Sequence, residues 1–253
     1  MAKRDEILAY IAQEFEIPGF PDSSVNGLQV EGKAEITRVA VAVDAAFAVA
    51  EDAIKQKAEL LIVHHGLFWA GSIPVTGSHQ RLLSLMLGAE LNLVAIHLPL
   101  DAHATLGNNF GLAKFLELAE VKPAAPYNGR NIGCIGRNVR KQKFSEICDT
   151  LALLPGASTP VFNLAFGPSI PERICVVSGA AVDTMYRFKD DGFDTLITGE
   201  PRQNAYHFAK ENKLNIICAG HYATETIGVR ALGAELEKRF KVESVFVDHP
   251  TGI

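Results

Sequence analysis

The sequence predicts an α/β protein made of two linked, internally duplicated halves with mainly parallel sheets. Two kinds of pattern lead to this prediction: short apolar runs typical of buried strands, and helical patterns that separate them. In the first half, residues 38–43 and 60–63 have the strand pattern, and residues 46–57 between them have the helical pattern. Because strands joined by short helical crossovers are parallel and right-handed, we expect a parallel sheet in each half.

A repeat of this pattern is the third observation. Residues 173–178 match residues 38–43, and residues 196–198 match residues 61–63, both at a spacing of 135 positions, with a helical pattern at residues 181–190 between them. A third strand follows in each half, at residues 92–96 and 215–219, where the spacing falls to 123 because the first half has a longer loop and helix. The chain therefore predicts a duplication.

The remaining elements complete this organisation. We predict further helices at residues 4–15, 81–87, 108–116, 143–153, 202–210 and 224–240. Residues 121–131, which include Pro123, Pro126 and Gly129, are the predicted linker between a first half of residues 1–126 and a second half of residues 127–253. Residues 155–171 are rich in Pro and Gly, and we expect them to wrap the surface.

Composition narrows the class of protein. A chain of 253 residues with 48% hydrophobic and 21% charged residues is typical of a globular α/β protein with a sizeable core. The formal net charge of −5 argues against a broad nucleic-acid surface. We expect no export signal and no membrane helix, because the amino terminus leads into an amphipathic helix and apolar runs are short. Four widely spaced cysteines without a Cys-x-x-Cys pair favour reduced thiols and a cytoplasmic location.

Two adjacent histidines, His64 and His65, end the apolar run at residues 60–63 and precede Gly66. Open α/β sheets bind their ligands at the carboxyl ends of their strands. Since adjacent strand residues point to opposite faces, both imidazoles serve one centre only if the chain curls at Gly66, or if two neighbouring metal ions are bound. The alternative is a pair of polar residues in a surface loop.

Corresponding strand ends carry further candidates, so that five residues form the predicted metal-ligand set: His64, His65, Asp101, His221 and Glu225. Imidazole and carboxylate donors without a thiolate suit zinc, manganese, iron, nickel or cobalt. Five ligands exceed the three that a catalytic zinc needs. Shared between two ions, with a bridging carboxylate and a bridging hydroxide, they predict a dinuclear hydrolytic site.

Two of these ligands lie where the last helix begins. His221 and Glu225 share a helical face if that turn is already helical, with Thr224 as a possible cap. Glu200 either reaches the metal centre or interacts with the dipole of its helix. Trp69 is expected to pack its loop against the core.

The loop after the third strand supplies the candidate catalytic residues, His97 and His103. His97 is either a sixth ligand or, as we favour, a residue that orients Asp101 or the bound water. His103, Asn108 and Asn109 are candidates for facing a substrate. Alternatively, Asn108 caps the next helix and His103 is solvated.

Four motifs, in order along nearly the whole chain, resemble the Nif-three-like family: His64-His-Gly-Leu-Phe-Trp69, Asn26-Gly-Leu-Gln-Val-Glu-Gly32, His97-Leu-Pro-Leu-Asp101 and Gly220-His-Tyr-Ala-Thr-Glu225. Many members are catalogued as homologues of a type 2 GTP cyclohydrolase I. The resemblance implies a Nif-three-like fold and a dinuclear centre whose ligands match the five residues above, with Glu225 bridging. It also implies a toroidal homohexamer of two trimers, with the sites facing an inner cavity.

Two functions follow as alternatives. The first is a metal-dependent hydrolase of a small molecule, GTP cyclohydrolase-like or phosphoesterase-like, that uses a metal-bridging water. If the substrate is GTP, the water attacks C8 of the purine, and His97 or His103 relays protons. The second is a non-catalytic, metal-containing ring that acts as a regulatory or partner-binding module. The sequence has no Walker-type loop that would select GTP.

Overall fold

A computed structural model of the chain describes residues 1–157, 160–187 and 189–253. These residues divide into two compact units, the first of residues 1–100 and 229–249, the second of residues 101–228 and 250–253. These bounds differ from the predicted halves, 1–126 and 127–253. The difference arises because a strand near the end of the chain pairs within the first unit, and because the predicted boundary falls inside a strand of the second.

The first unit contains, in chain order, β1 (Ala2–Lys3), α1 (Arg4–Glu14), β2 (Gly27–Val30), β3 (Glu35–Ile36), β4 (Arg38–Asp44), α2 (Phe47–Lys55), β5 (Leu60–His65), α3 (Gly77–Gly88) and β6 (Asn92–Ala95). The helix α4 (Leu98–Ala102) follows. A five-stranded sheet has the order β13-β4-β5-β6-β2, where β13 is Glu243–Phe246. All neighbours in it are parallel except β6 and β2, so the prediction of a mainly parallel sheet is confirmed here.

The second unit contains α5 (Asn108–Phe115), β7 (Ala119–Tyr127), β8 (Arg130–Arg137), α6 (Phe144–Leu151), β9 (Phe162–Ala165), β10 (Arg173–Val176), β11 (Thr195–Thr198), α7 (Gln203–Asn212) and β12 (Asn215–Cys218). The long helix α8 (His221–Phe240) begins here. The six strands have the order β7-β8-β10-β11-β12-β9. The neighbours β10, β11 and β12 pair in parallel, whereas β7, β8 and β9 each pair antiparallel with their neighbours. The second sheet is therefore mixed, and not mainly parallel as predicted.

The central strands are apolar because they are buried on both faces. Every residue from Leu60 to Val63 is fully buried, as are all four residues of β12 to within a few per cent. Parallel strands covered by helices on both sides have this continuous apolar character instead of an alternating one. The strand pattern from which the α/β class was predicted is therefore confirmed.

The predicted linker at residues 121–131 is wrong, because these residues belong to a β-hairpin. Tyr127 pairs with Arg130 across a two-residue turn of Asn128 and Gly129, which have φ angles of 48° and 83°. Asn-Gly is a strong hairpin signal because this turn needs positive φ at both positions. The prolines that suggested a linker lie on β7, an edge strand, where a missing N–H is tolerated.

Two other segments differ from the prediction. In place of the α-helix predicted at residues 181–190, the described residues form two short 3-10 helices, Val182–Arg187 and Lys189–Asp191. Residue 188 of this segment lies outside the described residues. The Pro- and Gly-rich segment 155–171 contains an unpredicted edge strand, β9, and its residues 158 and 159 also lie outside the described residues. Among the described residues, no helix combines the length and apolar character needed to cross a bilayer.

A buried asparagine joins the amino ends of the strands in the first unit. Asn92, the first residue of β6, donates from Nδ2 to the carbonyl oxygens of Lys33 (2.8 Å) and Glu59 (2.9 Å). Its Oδ1 accepts the N–H of Gly32 at 2.8 Å. One side chain thus fixes the edge strand β2 and the start of β5 against β6.

The second unit has the same arrangement. Asn215, the first residue of β12, donates to the carbonyl of Pro168 (2.9 Å) and to Thr195 Oγ1 (3.2 Å), and accepts the N–H of Gly167 at 2.8 Å. Gly167 and Pro168 lie 135 positions after the glycine and carbonyl partners of Asn92. This is the spacing of the sequence repeat, and the matched bonds fit the predicted duplication.

A carboxylate at the start of the second strand is repeated too. Glu59 accepts the N–H groups of Thr37 (3.0 Å) and Arg38 (2.9 Å), where β4 begins. Asp194 accepts the two N–H groups 135 positions further along, at 2.7 and 3.0 Å. In both units, therefore, the amino ends of the parallel strands are held by equivalent side chains.

Candidate metal-binding clusters

Three histidines of the first unit converge at the carboxyl edge of its sheet. His64 and His65 end β5, and His97 follows β6, the parallel neighbour of β5. One ring nitrogen from each histidine lies within 4.8 Å of the other two, a spacing compatible with a shared ion. His64 is fully buried, whereas His65 and His97 are half-buried.

The rings of the neighbouring histidines lie close together at the end of β5. The ring centroids of His64 and His65 are 4.6 Å apart, although neighbouring strand residues normally point to opposite faces. A Cβ atom on Gly66 would lie 2.5 Å from the Cβ of Ala95, so only glycine allows this close approach to β6. Both imidazoles thus lie at one edge of the sheet, and whether they bind one ion or two stays a prediction.

Each ring in this cluster has its Nδ1 within hydrogen-bond distance of an acceptor. His64 Nδ1 lies 3.0 Å from the carbonyl oxygen of Ile96, and His65 Nδ1 lies 2.8 Å from Asp44 Oδ1. His97 Nδ1 lies 2.9 Å from Asp22 Oδ1. Because carbonyl and carboxylate oxygens accept hydrogen bonds, these contacts place the ring proton on Nδ1 and the lone pair on Nε2.

Asp22 is the less exposed of the two carboxylate acceptors, with 1% of its side chain exposed against 36% for Asp44. Besides His97 it accepts the N–H groups of Ser24 and Leu98, both at 3.0 Å, and the Nδ2 of Asn26 at 2.9 Å. Burial opposes ionisation, but the hydrogen bonds from His97, Asn26 and Ser24 hold the pKa of this carboxyl far below its usual range. Asp22 is therefore an ionised, fully engaged carboxylate.

Trp69 lies against this cluster instead of only packing its loop on the core. Its ring centroid is 4.9 Å from that of His97, edge to face, and 6.1 Å from that of His65. Its Nε1 donates to the carbonyl of Gly66 at 3.1 Å. The half-buried indole thus borders the imidazoles.

In the second unit, Asp101 is held by two donors. Its Oδ1 accepts Asn108 Nδ2 and Ser178 Oγ, both at 2.8 Å, and the residue is almost fully buried. Asn109 donates to the backbone carbonyl of Asp101 and accepts the N–H of Ser178 at 2.6 Å. These contacts fix the direction of the carboxylate.

Asn108 and Asn109 are fully buried, so the prediction that they face a substrate is wrong. Asn108 does not cap α5 either, because Gly107 precedes the helix and Asn108 Oδ1 accepts the N–H of Gly228. His103 is half-buried, and its Nδ1 accepts the N–H of Leu106 at 3.1 Å, which closes the turn before α5. A catalytic role for His103 stays a prediction.

His221 and Glu225 lie on one face of α8, since the helix begins at His221. Their Nε2 and Oε1 atoms are 3.2 Å apart, and His221 Nδ1 lies 2.5 Å from Glu200 Oε1. Thr224 is inside the helix and is not its cap; its Oγ1 donates to the carbonyl of His221 and accepts the N–H of Gly179. Glu200 therefore contacts a predicted ligand directly.

The negative charge around His221 changes its protonation. Burial disfavours the charged imidazolium, but the hydrogen bonds and charges of Glu225 and then Glu200 outweigh this effect and raise the pKa of His221 to about 9. At neutral pH the ring of the metal-free chain thus holds a positive charge between two carboxylates. A bound cation would likewise place a positive charge beside these two carboxylates.

Two glycines make room for the second cluster, which consists of His221, Glu225 and Glu200. A Cβ on Gly199 would lie 2.6 Å from the Cα of His221, and one on Gly179 would lie 2.5 Å from Glu225 Oε1. Gly179 also has a φ of +64°, which disfavours other residues. The sequence signal for these positions, Thr-Gly-Glu-Pro and Ser-Gly, was too short to reveal this role.

Sequence reasoning also missed two orienting carboxylates, Asp22 and Asp44. Asp22 lies 75 positions before His97, in a segment without regular structure, and Asp44 is the polar end of a buried strand. Only the pairing of β4 with β5, which sets Asp44 opposite His65, brings the second pair together.

Comparison with known proteins places this chain in a family. The sequence profile described as Duf34/NIF3 (NGG1p interacting factor 3) matches residues 2–252. The chain belongs to the Duf34/NIF3 family. The predicted resemblance to the Nif-three-like family is thereby confirmed.

Relatives of this Duf34/NIF3 protein match it over almost its full length. A Pyrococcus horikoshii protein named GTP cyclohydrolase 1 type 2 homolog is 42% identical over 254 residues, which cover 99% of each chain. A Deinococcus radiodurans protein of the same name is 38% identical over 250 residues, covering 99% of this chain and 94% of the relative. The crystal structure of TTHA1606 from Thermus thermophilus has a TM-score of 0.90 and 39% identity, and the match covers 99% and 100% of the two chains.

The donor set of this Duf34/NIF3 protein fits divalent transition-metal ions. Metal-binding histidines characteristically donate their second ring N–H to a carboxylate or a backbone carbonyl. All four histidines described above, His64, His65, His97 and His221, have such an acceptor at Nδ1. Imidazole nitrogens and carboxylate oxygens suit borderline ions. The residues present therefore fit the metal that the family resemblance implies.

Proposed function

We propose that this Duf34/NIF3 protein binds divalent transition-metal ions and is a metal-dependent hydrolase. One observation carries the metal-binding part: each histidine of the two clusters has its Nδ1 against a carboxylate or a backbone carbonyl. Such acceptors fix the tautomer and the direction of a metal-binding imidazole. The observation gains weight because these rings also converge: one nitrogen each of His64, His65 and His97 lies within 4.8 Å of the others.

The proposed ligands are the five residues that the sequence predicts: His64, His65, Asp101, His221 and Glu225. Five donors suit two ions per chain, because one catalytic zinc takes three protein ligands. Glu225 is the proposed bridging carboxylate. Zinc, manganese, iron, nickel and cobalt all accept this combination of nitrogen and oxygen donors.

Bound divalent ions lower the pKa of a coordinated water and polarise a carbonyl or phosphoryl oxygen. The residues of the chain supply orientation and charge around such a centre. Asp44 and Glu200 orient His65 and His221, and Asn108 and Ser178 hold Asp101 through its Oδ1. These contacts favour a preorganised centre, which hydrolysis requires.

A cavity in the second unit supports a small-molecule substrate. It has a volume of about 540 Å³, within the range of ligand sites, and its lining includes Pro201, which follows Glu200 in the chain. Phe162 and Tyr206 provide apolar rings, and Arg202 provides a cation. An aromatic ring with an anionic group fits this lining. GTP, which the names of the relatives suggest, belongs to this class, as do aromatic phosphoesters.

Metal reconstitution followed by an activity screen tests this function. We expect metal-free protein to take up close to two zinc, manganese or cobalt ions per chain by elemental analysis. It should then hydrolyse members of a panel of phosphoesters, nucleotides and GTP. Glu225→Ala should lower occupancy of both ions and His64→Ala should abolish turnover, whereas His249→Ala, on a separate His–Asp pair, should change neither. Uptake of one ion or none contradicts the dinuclear proposal. Two ions without turnover contradict the hydrolase and favour the regulatory ring.

We also propose, from the family resemblance, that the chain assembles into a homohexamer of two trimers. Sedimentation velocity should then give about six times the protomer mass of 27.4 kDa. A monomer at micromolar concentration would contradict this assembly.

A further inference from the structure

We propose that Asp22 is a positioning residue that fixes His97 as a third imidazole ligand, beside His64 and His65, in the first unit. The inference rests on the metal binding proposed above and goes beyond its five ligands. Of the two roles that the sequence left open for His97, a metal ligand or a residue that orients Asp101 or the bound water, it selects the ligand.

The position of His97 in the cluster is the first step. Its ring centroid is 5.0 Å from that of His64 and 5.6 Å from that of His65. One nitrogen of each ring lies within 4.8 Å of the others. Three imidazole nitrogens this close are a common donor set for a single ion, and three histidines form the protein ligands of one well-known class of zinc site.

The tautomer of His97 is the second step. Asp22 accepts from His97 Nδ1 and from three further donors, so its oxygens have no hydrogen to give to the ring. The neutral imidazole must therefore have its hydrogen on Nδ1 and its lone pair on Nε2. This is the state in which a histidine coordinates a metal.

Rigidity is the third step, because the same segment holds both the ring and the backbone of His97. Asn26 Oδ1 accepts the backbone N–H of His97 at 2.7 Å, and Asp22 Oδ2 accepts that of Leu98 at 3.0 Å. Asn26 in turn donates its Nδ2 to Asp22 at 2.9 Å. Residues 22–26 thus fix the direction of His97 before any ion binds.

The carboxylate of the His97–Asp22 pair is better shielded from water than that of the His65–Asp44 pair. The side chain of Asp22 is 1% exposed, whereas that of Asp44, the partner of His65, is 36% exposed. A buried, charged hydrogen bond is stronger than one in contact with solvent. We therefore expect Asp22 to have the larger effect on metal affinity.

Cobalt(II) binding tests this inference, with Asp52→Asn as the matched control. Asp52 accepts from His249 Nε2 at 2.9 Å, in the same unit but at the surface. In titrations of metal-free protein with Co²⁺, Asp22→Asn should weaken binding by about 10- to 100-fold, the usual effect of removing an orienting partner, and Asp52→Asn should not. His97→Ala should weaken binding at least as much and alter the visible absorption of bound Co²⁺.

Nitrogen NMR of the wild-type protein gives a test that needs no variant to fold. On addition of Zn²⁺, the Nε2 resonance of His97 should move to a position typical of a coordinated nitrogen, while Nδ1 keeps its hydrogen. An unchanged Nε2 resonance overturns the proposal, as does a His97→Ala variant that binds Co²⁺ within twofold of wild type. If the wild type itself binds no Co²⁺, the proposed function fails with it. If the wild type binds Co²⁺ but one of the two overturning results is obtained, only this inference fails and the proposed metal binding stands.

Discussion

Replacing Asn92 with alanine should destabilise the protein measurably, although the residue lies far from any predicted ligand. Asn92 is fully buried and makes three hydrogen bonds, to Gly32, Lys33 and Glu59. A neutral hydrogen bond contributes about 1 kcal/mol net, and each partner left buried without a bond adds to the loss. We therefore expect the free energy of unfolding to fall by about 3 kcal/mol.

Asn215→Ala provides an independent test of the same reasoning in the second unit. Its side chain also makes three hydrogen bonds at the start of a third parallel strand. The expected loss is again about 3 kcal/mol. The control is Asn212→Ala, because Asn212 is exposed and donates only to the carbonyl of Phe208. Its effect should stay within about 0.5 kcal/mol.

Urea unfolding monitored by circular dichroism measures these losses. The transition midpoints of Asn92→Ala and Asn215→Ala should shift to lower urea, with slopes close to that of the wild type. Losses below about 1 kcal/mol in both variants, or as large a loss in Asn212→Ala, would refute the argument that the two asparagines hold the strands together.

Three further predictions concern other residues. Co²⁺ should quench the emission of Trp69, the only tryptophan, because its ring lies 4.9 Å from that of His97; unchanged emission at saturating metal would contradict binding at this cluster. Although burial opposes ionisation of Glu59, the N–H groups of Arg38 and Thr37 lower its pKa. The ionised Glu59 should therefore stabilise the fold fully above about pH 4.5, and this stabilisation should disappear as the pH falls through the lowered pKa of the folded state. In acid, the urea midpoints of the wild type and of Glu59→Gln should therefore become equal. Burial raises the pKa of the Cys148 thiol to about 11 and raises the pKa values of the fully buried cysteines further. A thiol reagent should therefore modify Cys148 first and the other three cysteines only on unfolding. Equal rates of modification at all four cysteines would contradict this.

The strand ends that carry His64, His65 and His221 could be predicted because a buried strand has a local signature. Apolar runs of four residues are visible without any knowledge of neighbours, and the residues that follow them lie at a sheet edge. The shared face of His221 and Glu225 needed only the period of a helix. Local patterns thus sufficed for the family, the α/β class and the candidate ligands.

What the sequence could not reveal depends on contacts distant along the chain. Asp22 reaches His97 across 75 positions from an irregular segment, and no local pattern marks it as a partner. Pro123 and Pro126 resemble a linker unless the edge position of their strand is known. Likewise, β13 joins the first sheet through pairing with β4 more than 200 positions earlier, which shifted the unit boundaries away from those predicted.

The matched asparagines and acidic residues divide each sheet into an edge that maintains the fold and an edge that carries chemistry. Asn92, Asn215, Glu59 and Asp194 hold the amino ends of the parallel strands, and their bonds recur in both units. The carboxyl ends differ: the position of His65 in the first unit corresponds to Glu200 in the second. Side chains at the carboxyl ends can therefore change without loosening the strands, so that the predicted duplication could have given the two units different side chains there while both retained a stable scaffold.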